Sequence, residues 1–334
     1  MSLNQRNKKI IWEAWHQGNQ QPQNIPALYA KIMHPNIHYN GPQPFNEING
    51  CDALIEKFWK PFLRAFPDIQ RRTYLFLGGQ VGTDVTKASN VQHWVGGMGD
   101  YIGTFANDWL GVPATGQSIH IRFGEFSRLE NGKIVEIYTL FDIISLMAQA
   151  GYDVLPPSPG RQIWVPGPKA GNGILLEPQE KTESQKTYTV LYNMLFKGME
   201  YHKKDNKKPT MDGYWTEDMT WHGPHGIGSV FGLPDFYKNA QQPIVEGHPD
   251  RIGGFHKVRF AEGNCAAMGG LKALRGTHTG AFLGIAPTGN RVTWRIMDFY
   301  TRKGDYLHED WVLIDLIDAC QQIGVDLFEK LKVK

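Results

Sequence analysis

Four side chains in the second half of this chain have the types and spacing for acid/base chemistry: His222, His278, Asp298 and Glu309. Asp298 lies in Val292-Thr293-Trp294-Arg295-Ile296-Met297-Asp298-Phe299-Tyr300. Strand alternation puts Val292, Trp294, Ile296, Asp298 and Tyr300 on one face. A single carboxylate in so bulky an apolar row is costly as structure, because desolvation disfavours its charge. The same desolvation raises its pKa toward neutrality, where it can take and return protons. Arg295 falls on the opposite face. Lys303-Gly304-Asp305-Tyr306 reads as a hairpin turn. With Gly304-Asp305 as a two-residue loop, strict alternation predicts Asp298 opposite Trp311, with Glu309 diagonally beside it. Leu307, Glu309, Trp311, Leu313 and Asp315 then share that face.

His278 sits in Gly276-Thr277-His278-Thr279-Gly280, and its imidazole suits general acid/base work near neutral pH. A loop histidine can equally be a surface group. This loop does not read as a phosphate cradle, since no Lys-Ser/Thr and no helix follow. His222, before Gly223-Pro224, is a substrate ligand or a turn cap. Glu309 lines a pocket or pairs with an arginine. Asp315 sits where a strand becomes a helix and suits an N-cap as well as a pocket wall. Trp294, Tyr300 and Trp311 are core residues first and pocket lining second. No spacing suggests a metal site.

These residues recur upstream. Gly103-Thr104, Gly111, Thr115-Gly116, Arg122, Phe126, Glu136, Asp142 and Gly151 match Gly276-Thr277, Gly284, Thr288-Gly289, Arg295, Phe299, Glu309, Asp315 and Gly324 without a gap. A second block, Gly41-Pro42, Gly50, Pro61 and Pro67-Asp68, matches Gly223-Pro224, Gly232, Pro243 and Pro249-Asp250. The chain is therefore a duplication of a unit of ~150 residues, an ordinary domain size. The first-copy counterparts of the candidate site are Asn40, Glu125, Glu136, Tyr138 and Asp142, and Phe105 stands where the second copy has His278. With no histidine there, acid/base work is assigned to the second copy, and Phe105 is expected to fill part of the first pocket.

Each copy reads as helices followed by a run of antiparallel strands, which indicates an α+β fold with a curved sheet wrapped on its own helices. In the first copy, helix is expected over about Asn4–Met33 with breaks at Gly18 and Pro26, and over Cys51–Phe66 with a kink at Pro61. Strands are expected near Gln70–Gly78, Ala88–Val95, Ser118–Leu129 and Lys133–Phe141, the last two joined by Asn131-Gly132. A short helix follows, Ile143–Ala150. The second copy repeats this order, with helices near Glu183–Lys204 and Leu233–Ala240 and one after Asp315. The proposed division is 1–152, a Pro/Gly-rich linker 153–182 that packs in places through residues such as Trp164, and 183–334.

The net charge of +2 gives no reason to expect nucleic acid or an anionic membrane as partner. The Lys203-Lys204 and Lys207-Lys208 cluster is short and reads as a solvated loop. Three widely spaced cysteines, Cys51, Cys265 and Cys320, read as reduced core residues. No stretch has the apolar length of a membrane span or a signal peptide, so the expected location is cytoplasmic.

The segments GTHTGAFLGIAPTG and DYLHEDWVLID, with WHGPHG and HPD upstream, resemble the SnoaL-like polyketide cyclases of the nuclear-transport-factor-2-like superfamily. That resemblance spans both copies and implies two tandem cone-shaped α+β barrels. It also implies ring closure by an intramolecular aldol step with no metal and no organic cofactor, using an aspartate as general acid/base helped by a histidine. The expected catalytic set is Asp298, His278 and Glu309, with His222, Trp311, Trp294, Tyr300 and Asp315 holding a small apolar ketone or ester. A non-catalytic binding module on the same fold is the alternative. The two units are expected to pair as an intrachain pseudo-dimer, within a monomer or a homodimer.

Overall fold

A computed structural model describes residues 1–82, 91–199 and 210–333. The chain divides into two compact units, Met1–Tyr152 with Ala170–Pro178, and Asp153–Lys169 with Gln179–Val333. Part of the expected strand from Ala88, the end of the helix near Lys204 and the Lys203–Lys208 cluster lie outside the described residues. Among the described residues no helix is long and apolar enough to cross a membrane. Cys51, Cys265 and Cys320 are buried free thiols.

Both units are α+β. The first opens with the helices Leu3–Gln20 and Ile25–Ile32. Gly18 does not break the first helix; it lets Ile25 approach, since a Cβ there would lie 3.0 Å from Ile25 Cγ1. The chain breaks instead at Gln21–Pro22, where proline begins a 3₁₀ turn. Six strands follow: β1 (Met33–Asn40), β2 (Glu47–Asn49), β3 (Gln70–Val81), β4 (Gln92–Thr104), β5 (Ser118–Glu130) and β6 (Lys133–Phe141). They order as β2-β1-β6-β5-β4-β3, with β1 parallel to β6 and every other pair antiparallel.

The second unit repeats the plan in β7 (Trp215–His222), β8 (Ser229–Phe231), β9 (Ile252–Gly253), β10 (Val258–Glu262), β11 (Cys265–Thr277), β12 (Arg291–Lys303) and β13 (Tyr306–Ile314). Their order is β10-β11-β12-β13-β7-β8, with β9 on β11 and β7 parallel to β13.

Proline shapes the helical wall of each unit. Pro61 and Pro243 cannot donate to the preceding turn, and just before each the helix widens into a π turn, Ile55–Trp59 and Phe236–Gln241. The Pro/Gly-rich stretch covers sheet edges. Arg161 exchanges backbone hydrogen bonds with Ser229 of β8 (2.7 and 2.8 Å), while Gly173 and Leu175 bond Phe76 of β3 (2.8 Å each). Trp164, the expected packing point, is exposed; Val154, Leu155 and Leu175 are the buried residues.

The β12–β13 register overturns the strict alternation expected from sequence. Gly304 turns at φ +63°, and Lys303 pairs with Tyr306 and Arg302 with Leu307. His308 is then an extra residue, so Thr301 pairs with Glu309, Tyr300 with Asp310, Phe299 with Trp311 and Asp298 with Val312. A bulge of one residue exchanges the faces of everything beyond it. Asp310, Val312 and Ile314 share the face of Asp298, and Glu309, Trp311 and Leu313 are on the other. The first unit has the same bulge at Val135, between the pairs Leu129–Ile134 and Arg128–Glu136. Deleting His308 should drive Glu309 and Trp311 toward the interior and cost more than about 4 kcal/mol in a thermal melt. Replacing it as His308→Val keeps the bulge and loses the contact to Thr216 Oγ1 (2.8 Å), so it should cost only about 1 kcal/mol.

Candidate active site

The second unit encloses about 810 Å³ of non-protein space, including its mouth. The inward faces of β12 and β13 form its floor: Trp294, Ile296, Asp298 and Tyr300 from one strand, Asp310, Val312 and Ile314 from the other. Helical residues Met194, Leu195, Phe236 and Gln241 form a wall, and Met199, Met211 and Met268 complete an apolar, deformable lining. Sequence alternation placed Trp294, Asp298 and Tyr300 here correctly. It missed Asp310, because nothing in the residue pattern marks the bulge at His308.

Asp298 and Asp310 are both buried, on adjacent strands and diagonal to one another. Such diagonal Cα atoms stand roughly 7–8 Å apart, within side-chain reach. Burial pushes the Asp298 carboxyl well above the ordinary range, partly opposed by a hydrogen bond from the Tyr300 hydroxyl. Burial and then the Asp298 charge push Asp310 up in the same direction. Asp298 Oδ2 and Asp310 Oδ1 have no hydrogen-bond partner among the described residues, nor do Trp215 Nε1 and Gln241 Nε2 on the same cavity wall. Buried polar atoms are ordinarily satisfied, so this cluster offers donors and acceptors to the polar atoms of a ligand. Arg251 and His256 also line the space, and His256 is pushed down to about 3 by burial and then by Arg259.

Glu309, Trp311 and His222 are on the outer face of the sheet. Trp311 Nε1 donates to Pro166 O (2.8 Å), and Glu309 accepts from Lys169 N (3.0 Å) and Thr301 Oγ1 (2.8 Å). His222 Nδ1 is 3.1 Å from Ser229 Oγ, and its ring lies 5.8 Å from that of Trp311. These groups hold the extended segment ahead of the second unit's helices rather than facing the cavity. Asp315 caps its helix, accepting from Asp318 N, and pairs with Arg295 (3.2 Å). Asp142 does the same with Ser145 N and Arg122 (3.5 Å).

The SnoaL-like polyketide cyclase family matches the sequence twice, at residues 13–150 and 209–323. The chain belongs to that family. A search of curated proteins finds no match. Among solved structures, a protein from Jannaschia sp. CCS1 provisionally named as a SnoaL-like polyketide cyclase is 17% identical over 44% of this chain and 93% of its own, with a TM-score of 0.36. IdmH from Streptomyces antibioticus, provisionally named as a polyketide cyclase, is 20% identical over 43% and 98%, TM-score 0.34. AclR from Streptomyces galilaeus, provisionally named as a hydroxylase, is 21% identical over 43% and 95%, TM-score 0.34.

The two SnoaL-like units fill the same interior differently. In each, one aspartate pins the end of a later strand, β4 or β11: Asp68 Oδ1 accepts from Thr104 N (2.7 Å) and Asp250 Oδ1 from Thr277 N (2.6 Å). Three residues on, Arg71 pairs with Tyr101 in the first unit, and Gly253 pairs with Leu274 in the second. Arg71 occupies the first interior. It bonds the Tyr101 hydroxyl and Glu125 (3.3 Å), and its guanidinium lies 3.9 Å from the Trp15 ring centroid and 4.7 Å from that of Phe123. Glu125, the counterpart of Asp298, is thus the partner of an ion pair. The group occupying the first interior is Arg71 rather than the expected Phe105, which stacks on Phe66 at 4.9 Å. The other first-copy residues are structural as well. Glu136 binds Arg128 (3.0 Å), and Asn40 and Tyr138 are paired in the β1–β6 register.

That Phe66–Phe105 stack explains His278. In the second unit its place is taken by His248 and His278, with centroids 5.5 Å apart. His248 meets Trp294 edge-on at 5.0 Å, so the histidine pair backs the cavity wall, and His278 itself does not line the cavity. Burial pushes His278 down from the ordinary histidine range, and burial followed by the His278 charge takes His248 to about 4. Both rings are neutral packing groups at neutral pH, not a proton donor facing the carboxyls.

Two measurements check these assignments. Arg71→Met leaves Glu125 buried without its cation and should cost about 3–5 kcal/mol, while Arg71→Met with Glu125→Met should recover most of that loss, read by denaturant unfolding. The histidine pair binds protons more readily unfolded than folded, so it favours unfolding increasingly as pH falls from 6.5 toward 4. The double variant His248→Phe/His278→Phe should therefore show a shallower loss of melting temperature across that window. Parallel curves for variant and wild type would contradict this.

Proposed function

We infer that the second unit catalyses acid/base chemistry on a small apolar ketone or ester: proton abstraction next to a carbonyl, followed by intramolecular aldol closure or a related isomerisation or dehydration. Asp298 is the base. The observation that carries the reading is a buried, upshifted carboxyl facing an apolar cavity, with one oxygen held by Tyr300 and the other without a partner. In such a site a carboxylate has little solvation to lose when it takes a proton from carbon, so its basicity is matched to work near neutrality. The aromatic and methionine lining suits a flat, hydrophobic ligand. Membership of the polyketide cyclase family favours the aldol variant. The first unit, with its carboxylate paired to Arg71, is assigned a structural role.

A bicyclic ketone with acidified α-hydrogens, 2-tetralone, serves as probe. Deuterium from solvent should enter its α-positions in the presence of the protein, followed by mass spectrometry. Asp298→Asn should slow that exchange roughly 10²–10⁴-fold, and Glu125→Gln should leave it unchanged. Binding of the ketone without any exchange above the buffer rate would reject catalysis and leave a ligand-binding module.

A further inference from the structure

Asp310 has no role in the reading above, yet it is the second acid of the same cavity. Its counterpart in the first unit is Ile137, paired with Ser127 as Asp310 is with Tyr300. The second unit thus introduces a carboxyl one diagonal step from Asp298, where the first unit has an apolar side chain.

We propose that Asp298 and Asp310 act as a carboxyl pair holding one proton between them, Asp298 the ionised base and Asp310 the protonated acid. The substrate is a compound with an enolisable C–H beside a neutral carbonyl oxygen. The proposal rests on the acid/base reading of this cavity and adds to it the second catalytic residue and the charge state of the substrate's reacting end.

Geometry assigns the roles. The Tyr300 hydroxyl donates to Asp298, which favours the ionised form of that member. Asp310 has no corresponding donor at Oδ1. Across the floor, β11 offers only Met268 opposite Asp298, and the helical wall offers Met194 and Gln241, none of them ionisable. His256 is neutral at working pH, which leaves Arg251 as the one permanent cation among the described lining residues. Burial raises both carboxyls, and the Asp298 charge raises Asp310 further, because two ionised carboxylates at this spacing in an apolar wall repel. The pair titrates as a unit with two macroscopic steps, and between them it carries a single negative charge.

The proton balance closes. Asp298 takes the α-hydrogen as a proton. The C–H electron pair becomes the C=C bond, the carbonyl π pair moves to oxygen, and that oxygen takes the proton of Asp310. The product is a neutral enol, and the pair still holds one proton, now on Asp298. When the enol carbon attacks a second carbonyl of the same molecule, a C–C bond forms. The enol hydroxyl returns its proton to Asp310, and Asp298 delivers its proton to the new alkoxide. The starting state is restored with no enolate charge left in the apolar cavity. A carboxylate at the reacting end would instead set a second negative charge against the pair.

Carboxyl-¹³C-aspartate NMR over a pH titration tests the pair without any substrate. In the wild-type protein two buried carboxyls should titrate in coupled steps, and Asp298→Asn should move the Asp310 step down by about one pH unit or more, since the Asp298 charge raises it. An Asp310 step that stays in place when Asp298 is removed overturns the proposal. Asp298→Asn and Asp310→Asn each replace a buried carboxyl by a neutral group of the same shape and should keep the melting temperature, so both are expected to fold, and a melt confirms it. In the 2-tetralone exchange assay, Asp310→Asn should lower kcat roughly 10²-fold or more with KM little changed, and wild-type rates in that variant also overturn the proposal. If the wild-type protein exchanges nothing, the catalytic reading of the cavity falls, while the carboxyl pair is still decided by the titration.

Discussion

A carboxylate inside an apolar wall must have a compensating partner or give up its charge. Both units place an acid at the same point on the same strand, Glu125 on β5 and Asp298 on β12, and each meets that requirement differently. In the first, Arg71 enters from β3, and three aromatic rings, Trp15, Tyr101 and Phe123, hold its guanidinium. Glu125 has its cation, and the guanidinium takes up the space between the rings. In the second, glycine at position 253 removes the cation and leucine at 274 removes the phenol. Methionines and the π-turn helix Phe236–Gln241 border the space instead, and a second acid stands beside the first. The same fold therefore holds a paired cation and carboxylate in one unit and a cavity lined by two buried acids in the other.

The bulge at His308 governs which side chains belong to that cavity. It is a property of the fold, since Val135 holds the same place upstream. Its consequence depends on the residues beyond it. In the first unit it turns Ile137 and Thr139 inward, and in the second it turns Asp310 and Val312 inward. The outer face receives Glu309 and Trp311, which fasten the segment around Pro166–Lys169 across the sheet. One extra residue thus separates an acid that anchors backbone from an acid that faces the cavity.

Much of the architecture is local and was legible in the residues. The duplication, the Asn131-Gly132 and Gly304-Asp305 turns, the β6 limits and the N-caps at Asp142 and Asp315 all depend on near neighbours in sequence. The inward row Trp294, Asp298, Tyr300 followed from alternation along one unbroken strand. The family likeness was readable as well, because its glycine and turn motifs recur at fixed spacing in both copies.

The composition of the site was decided by long-range pairing. A bulge changes the ladder between two strands without requiring a special residue type, so Glu309 and Asp310 exchange places with no mark in the sequence. His278 resembled a catalytic histidine until its neighbour His248, distant in the chain, showed it to be half of a ring pair that the first unit builds from phenylalanine. Arg71 and Glu125 lie on strands that meet only after β3, β4 and β5 assemble. Residue order alone names the acids this protein carries and the strands that bear them. Which of them meets a cation and which share one cavity followed from the fold, because burial and charge proximity are properties of the assembled sheet.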